Sequence, residues 1–148
     1  VNNITGFPHE TRELAMDTIE LNRHIDSDNQ NLYAFVPFHG TPLRKLTEDL
    51  GLINEEDIVR CLTDKPMLDQ PQFTADEVEG LQKCFALYTK FPKSRWKDIK
   101  KAEKNDGEGQ KIFEDLKIEY LDRYMPKKTS NSKQDISNVA DLEYGIES

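Results

Sequence analysis

The stretch Ile4-Thr5-Gly6-Phe7-Pro8-His9-Glu10-Thr11 decides how the rest of this chain is read. An extended, apolar-leaning start precedes it, Val1 to Ile4, and a helical pattern follows it as far as Ile25. Glycine reaches backbone angles closed to other residues and lets a ligand come close. Pro8 fixes its own φ and biases Phe7 toward extended geometry. Thr11 is a candidate helix N-cap, with Glu13 in the first turn, where the helix dipole favours negative charge. A strand over residues 1 to 6, a tight exit loop and a helix start are therefore expected. Ligands of parallel α/β sheets bind at such junctions, beyond the carboxyl ends of the strands.

In the helix over Thr11 to Ile25, Leu14, Ala15, Thr18, Leu21 and Ile25 fall on one face. The polar cluster from Asp26 to Asn31 ends it. Leu32 to Phe38 is a dense β-branched and aromatic run, short enough for a buried strand. Strand, helix and strand in this order make a right-handed crossover, so the strands should run parallel. Thr41-Pro42 then opens a helix, with Gly51 past its end. After Leu52 no strand pattern appears. Asn54 with Glu55, Glu56 and Asp57 predicts a short helix through Leu62, and Pro66 to Pro71 an irregular connection. Thr74 with Glu77 is a capping box, and its helix runs to Phe91, where Pro92 stops it. A short helix over Ser94 to Lys104 is broken by Asn105-Asp106-Gly107. The last helix, Gln110 to Met125, aligns Phe113, Leu116, Tyr120 and Tyr124.

Two parallel strands cannot close a sheet by themselves. The start at Val1, without an initiator Met, together with this deficit reads as a piece of a longer protein. The expected fold class is an α/β fragment, the last two parallel strands of a partial (β/α) barrel followed by a mainly α-helical C-terminal extension. Residues 1 to 52 form the end of the barrel, 53 to 126 the extension and 127 to 148 a flexible tail rich in Ser, Asn, Lys and Asp. The 148 residues carry a formal net charge of -8, with a mean hydropathy of -0.77. No apolar run approaches the roughly 20 residues of a membrane span, so no membrane partner and a cytoplasmic location are expected. The acidic balance weighs against nonspecific nucleic-acid binding. Two cysteines, Cys61 and Cys84, lack metal or disulfide spacing. Each falls on a helical apolar face, Cys61 with Ile58 and Leu62 and Cys84 with Leu81, Phe85 and Tyr88, which suits reduced core thiols.

The Gly6-x-Pro8-x-Glu10-Thr11 pattern after an apolar strand resembles the late-barrel motif of radical S-adenosylmethionine (radical SAM) enzymes. A second piece, Phe35-Val36-Pro37-Phe38-His39-Gly40-Thr41-Pro42-Leu43, resembles the segment after the last strand of the same TIM-like barrel. The likeness is strongest to the cobalamin-binding and methylthiolating branches. The resemblance implies S-adenosylmethionine and a [4Fe-4S] cluster as cofactors of the full-length protein, with cobalamin as a further cofactor in one branch, and methyl transfer or a related radical rearrangement as the chemistry of a transferase. The cluster-binding Cys-x-x-x-Cys-x-x-Cys loop is absent here, so the chain alone should bind none of these groups and be inactive. Its partners would be the rest of its own barrel and a substrate that the residues do not identify.

On the same resemblance Ile4 and Gly6 would pack against adenine and ribose, and the main chain of Val36 would meet the adenine edge. Glu10 matches the loop glutamate of the cofactor-binding strand, with bracing of the loop as its expected task. His9 and His39 depart from the family pattern, which has small residues there. They read as polar loop residues, or as a proton donor or acceptor at a shared cavity. The alternative reading is a non-catalytic helical binding module, contacting RNA through the basic island of Lys90, Lys93, Arg95, Lys97, Lys100, Lys101 and Lys104, with stacking on Trp96. A solvated helix face explains the same lysines without a partner.

Overall fold

A computed structural model describes residues 1–27, 29–59, 61 and 65–125. Strand β1 (Asn2–Thr5) pairs in parallel with β2 (Asn31–Ala34), with Asn3 opposite Leu32 and Thr5 opposite Ala34. The crossover between them is α1 (Arg12–Arg23), which Thr11 caps by accepting from Leu14 N. Helix α2 (Pro42–Asp49) follows, with Thr41 as N-cap and Pro42 at its first position. Then come α3 (Ala75–Lys90), a 3-10 turn (Lys93–Arg95), α4 (Trp96–Ala102) and α5 (Gly107–Tyr124). The capping box at Thr74 and Glu77 is formed from both sides, and Phe91 ends α3 before Pro92.

The pleat of the two strands sorts their residues. Thr5, Leu32 and Ala34 are buried on one face, while Asn2 and Ile4 are exposed and Asn31 and Tyr33 half-buried on the other. Helix α3 packs on β2 and on α1. The core joins Ala15 and Ile19 of α1, Leu32 and Ala34 of β2, and Phe73, Val78, Leu81, Phe85 and Tyr88 of the α3 region. Ile99, Ala102, Phe113, Leu116 and Tyr120 extend it under α4 and α5. Burial of this apolar surface is the main force holding helices to sheet. Arg23 secures the end of α3, its Nη1 donating to the carbonyls of Phe91 at 2.6 Å and Tyr88 at 2.8 Å. A cation there also complements the helix dipole.

Several expectations are corrected. The inward face of α1 is Ala15, Ile19 and Asn22, whereas Leu14 and Leu21 are 53% and 63% exposed. Asn22 is buried because its amide donates to Asn3 Oδ1 at 2.9 Å across the fold and to the carbonyl of Thr18 at 2.8 Å within the helix. Strand β2 ends at Ala34 rather than Phe38, although Phe35 N still donates to the carbonyl of Thr5 at 2.7 Å. The described part of residues 54 to 61 is not helical. Guanidinium Nη2 of Arg44 donates to the carbonyls of Asn54, Glu55 and Asp57 at 2.9–3.0 Å, and those oxygens are then committed away from a helical ladder. Ile58 is 82% exposed and Cys61 is exposed, so neither lies in a core; Leu62 falls outside the described residues, as does the tail from 127 to 148. Helix α5 begins at Gly107, not Gln110, because Asp106 caps it by accepting from Gly109 N at 2.7 Å.

Cys84 is a core thiol, as expected, and burial pushes it up to about 12. Burial, and then the neighbouring Glu103, raise Tyr88 as well. Both groups keep their protons in the folded chain at pH values where the unfolded chain loses them. The contribution of Cys84 is complete below the ordinary thiol value of 9.0 and is lost as pH rises from there through about 12, and Tyr88 adds to the loss above its ordinary value of 10.0. Thermal melts should therefore show stability falling steadily above pH 9. Gly80 supplies a second test: a Cβ there would stand 2.7 Å from Glu103 Cβ. Gly80→Ala should lower the melting temperature even though alanine favours a helix by about 1 kcal/mol, since overpacking costs about 1–3 kcal/mol.

Candidate functional site

Both strands run the same way, so the loops after them leave from one end of the sheet. In the first loop, Gly6 has φ +83°, a conformation that calls for glycine. A side chain at Gly6 would meet the Val78 methyls of α3 at 3.4 Å. The glycine is therefore needed for the bend, and its Cβ direction points into the protein. Glu10 lies across this bend. Its Oε2 accepts from Thr5 Oγ1 at 3.0 Å, from Phe7 N at 3.1 Å and from Gly6 N. A carboxylate gathering donors ahead of a helix start is the brace expected of Glu10. That oxygen is occupied within the loop.

Residues from the extension hold the same loop from outside. Gln70, 3% exposed, donates from Nε2 to the carbonyl of Phe7 at 2.9 Å and accepts at Oε1 from His9 N at 2.9 Å. Gln72 Nε2 donates to Gln70 Oε1 at 3.1 Å and to the carbonyl of Glu10 at 3.3 Å. The ring of Phe7 lies 4.9 Å from that of Phe35, between centroids. Phe35, Ile53 and Leu68 form a small second core beneath it.

In the second loop, the carbonyl of Val36 accepts from Phe38 N at 3.0 Å, and Gly40 turns the chain with φ +80°. Thr41 then caps α2 by accepting from Arg44 N at 3.2 Å. Arg44 is 2% exposed, and its charge is matched by Glu48 at 2.5 Å. Its Nη1 reaches the carbonyl of Pro37 at 3.3 Å, tying the second loop to the turn over residues 54 to 57.

Of the residues singled out for nucleoside contact, Ile4 is 51% exposed on the more open face of the sheet, Val36 is half-buried, and Gly6 is buried at the bend. His9 and His39 are both exposed in the loops beyond the strands. His9 is the one non-glycine at positive φ, 65°, among the described residues. Gln70 and Arg44 were not singled out. A glutamine beside a proline and an arginine in an exposed-looking helix carry no local mark of burial.

The basic island is partly spent inside the molecule. Lys93 pairs with Glu20 at 3.0 Å and Arg95 with Glu119 at 2.9 Å. Lys93 and Arg23 lie against the Trp96 ring at 5.4 and 5.7 Å from its centroid, and Tyr88 meets it edge-on at 5.4 Å. Lys97, Lys100, Lys101 and Lys104 are exposed. Deeper in, Glu103 accepts from Tyr88 Oη at 2.5 Å and pairs with Arg12 at 2.6 Å. Burial opposes the charge of Arg12, but the bond and charge of Glu103 outweigh it and hold the guanidinium above its ordinary value. This triad joins α1, α3 and the end of α4.

Among the described residues no group of three or more His, Cys, Asp or Glu could hold a metal ion, and no helix is long and apolar enough to cross a membrane. Over 49 residues the chain is 39% identical to the tRNA-2-methylthio-N(6)-dimethylallyladenosine synthase of Halalkalibacterium halodurans. The match covers 33% of this chain, and the chain spans only 9% of the length of that relative. No family model and no solved structure matches.

Glu10→Ala would strip three donors of their shared acceptor and should destabilise the chain by about 1–3 kcal/mol. Glu10→Gln, which keeps an acceptor oxygen, should lose less. Urea unfolding and amide exchange at Gly6 and Phe7 measure both.

Proposed function

We propose that this chain is the closing part of a radical SAM barrel and supplies the surface that holds the adenosine end of S-adenosylmethionine. The observation that carries this reading is the pair of glycine bends at one end of a parallel strand pair, beside the more exposed of the two sheet faces. Ile4 stands on that face, and the Val36 main chain sits where the second strand gives way to its loop. A purine ring needs an apolar side chain for its face and backbone groups for its edge; the Val36 carbonyl also accepts from Phe38 N, so its amide is the group offered to the edge. The adenosyl end thus fits the residues present. Glu10 acts on the loop's backbone, and would act on the cofactor only through it.

The [4Fe-4S] cluster does not fit this chain. Two cysteines cannot supply its ligands, and Cys84 is a buried thiol held protonated. In the whole enzyme the cluster and S-adenosylmethionine together would supply one-electron chemistry, and this chain would bind and orient the nucleoside and cover the substrate. The 49-residue similarity to a methylthio-forming tRNA enzyme supports the superfamily and favours its methylthiolating branch over the cobalamin-binding one. Transfer of a methyl or methylthio group, with a transfer RNA nucleoside as substrate class, follows as part of the proposal. A separate helical RNA-binding module is the weaker reading, because Trp96 is already packed by two cations and a tyrosine.

In the polypeptide that carries this chain with its upstream barrel, Ile4→Asp should weaken binding of S-adenosylhomocysteine about tenfold or more, the loss expected when one ring face no longer packs on an apolar side chain. Isothermal titration measures the affinity, and an unchanged dissociation constant would contradict the assignment.

A further inference from the structure

Gln70 belongs to the helical extension, yet its side chain is spent on the backbone of the β1–α1 loop, more than sixty residues earlier in the chain. A primary amide has a donor and an acceptor at fixed separation, and here one meets the carbonyl of Phe7 while the other meets the amide of His9. That bracket closes over Pro8. The carbonyl of Phe7 also accepts from Glu10 N at 3.0 Å, so the turn is held both from within and from the extension. Gln72 reinforces the bracket by donating to Gln70 Oε1, which orients the amide with its Nε2 toward Phe7. At the centre of this arrangement His9 adopts φ 65°, a conformation that is unfavourable for a residue with a Cβ and persists where surrounding contacts over-determine it.

We propose that Gln70 is a positioning residue: by bracketing Phe7 and His9 it sets the shape of the nucleoside-contacting loop and holds His9 in its positive-φ conformation. The proposal rests on the nucleoside reading above and extends it, because it gives the extension a task at the cofactor loop. The loop has two independent supports. Glu10 fixes its first half, at Gly6 and Phe7, and Gln70 fixes its second half, at Phe7 and His9. Loss of the second support would let His9 relax to an ordinary backbone conformation and loosen Pro8.

The experiment compares Gln70→Leu, which keeps the volume and loses both hydrogen bonds, with Gln70→Glu, which keeps the acceptor for His9 and loses the donor to Phe7. Both are made in the whole polypeptide and again in a His9→Gly background, where glycine tolerates the positive φ unaided. Amide exchange by mass spectrometry reads the clamp directly. Exchange of the 7–10 segment should quicken about tenfold or more in Gln70→Leu and less in Gln70→Glu, with a smaller effect of either in the His9→Gly background. Unchanged exchange in both variants overturns the clamp. The affinity for S-adenosylhomocysteine reads its purpose. It should fall about tenfold in Gln70→Leu, with KM for S-adenosylmethionine rising and kcat changing less than twofold. If exchange quickens but the affinity of a binding-competent parent is unchanged, Gln70 is only a structural tie and the positioning role is wrong. If the unmutated polypeptide does not bind S-adenosylhomocysteine at all, the nucleoside reading falls, and the positioning role falls with it; quickened exchange would then identify a loop clamp without a nucleoside task.

Discussion

One carboxylate oxygen decides the shape of the rim. Glu10 Oε2 takes the hydroxyl of Thr5 and the amides of Gly6 and Phe7 at the point where β1 stops and the chain must turn. Those amides sit beyond the last ladder bond of the strand and before the first turn of α1. Without a shared acceptor they would be unpaired in a partly buried place, which costs more than a typical hydrogen bond contributes. The cluster holds the bend at Gly6 just ahead of α1. Gln70 then continues the same logic from the other side of the loop.

Packing explains why only one side of the sheet is available. Leu32 and Ala34 face α3, and α3 in turn holds α1 through Ala15 and Ile19. Arg23 and the triad of Arg12, Glu103 and Tyr88 fix the helices to one another. Helices α1, α3, α4 and α5 thus share one core with β2, and α3 forms the wall on that side of the strand pair. Ile4 is left on the opposite face, 51% exposed. Half-exposed Tyr33, its partner across the strands, shares that face.

Much of this was legible because it is local. Thr11, Thr41 and Thr74 cap helices through bonds spanning three residues, and Pro92 ends one by lacking an amide proton. The parallel pair followed from strand, helix, strand. What failed was set by distant partners. Residues 54 to 57 look like an acidic helix start, but buried Arg44 claims their carbonyls. Nothing local marks Asn22 as buried; its partner Asn3 is 19 residues away. At the candidate site, Glu10 could be read as a brace because its donors lie within five residues of it. Gln70 could not, because its partners are more than sixty residues away.

The central claim is that a nucleoside lies against the rim formed by the two glycine bends. Photo-crosslinking tests it most directly, using an azidoadenine analogue of S-adenosylmethionine on the whole polypeptide, with the attachment sites mapped by mass spectrometry. The account predicts attachment within residues 4–10 or 36–40, competed away by S-adenosylhomocysteine. Competed attachment confined to other segments, such as the lysines of residues 97–104, would contradict it.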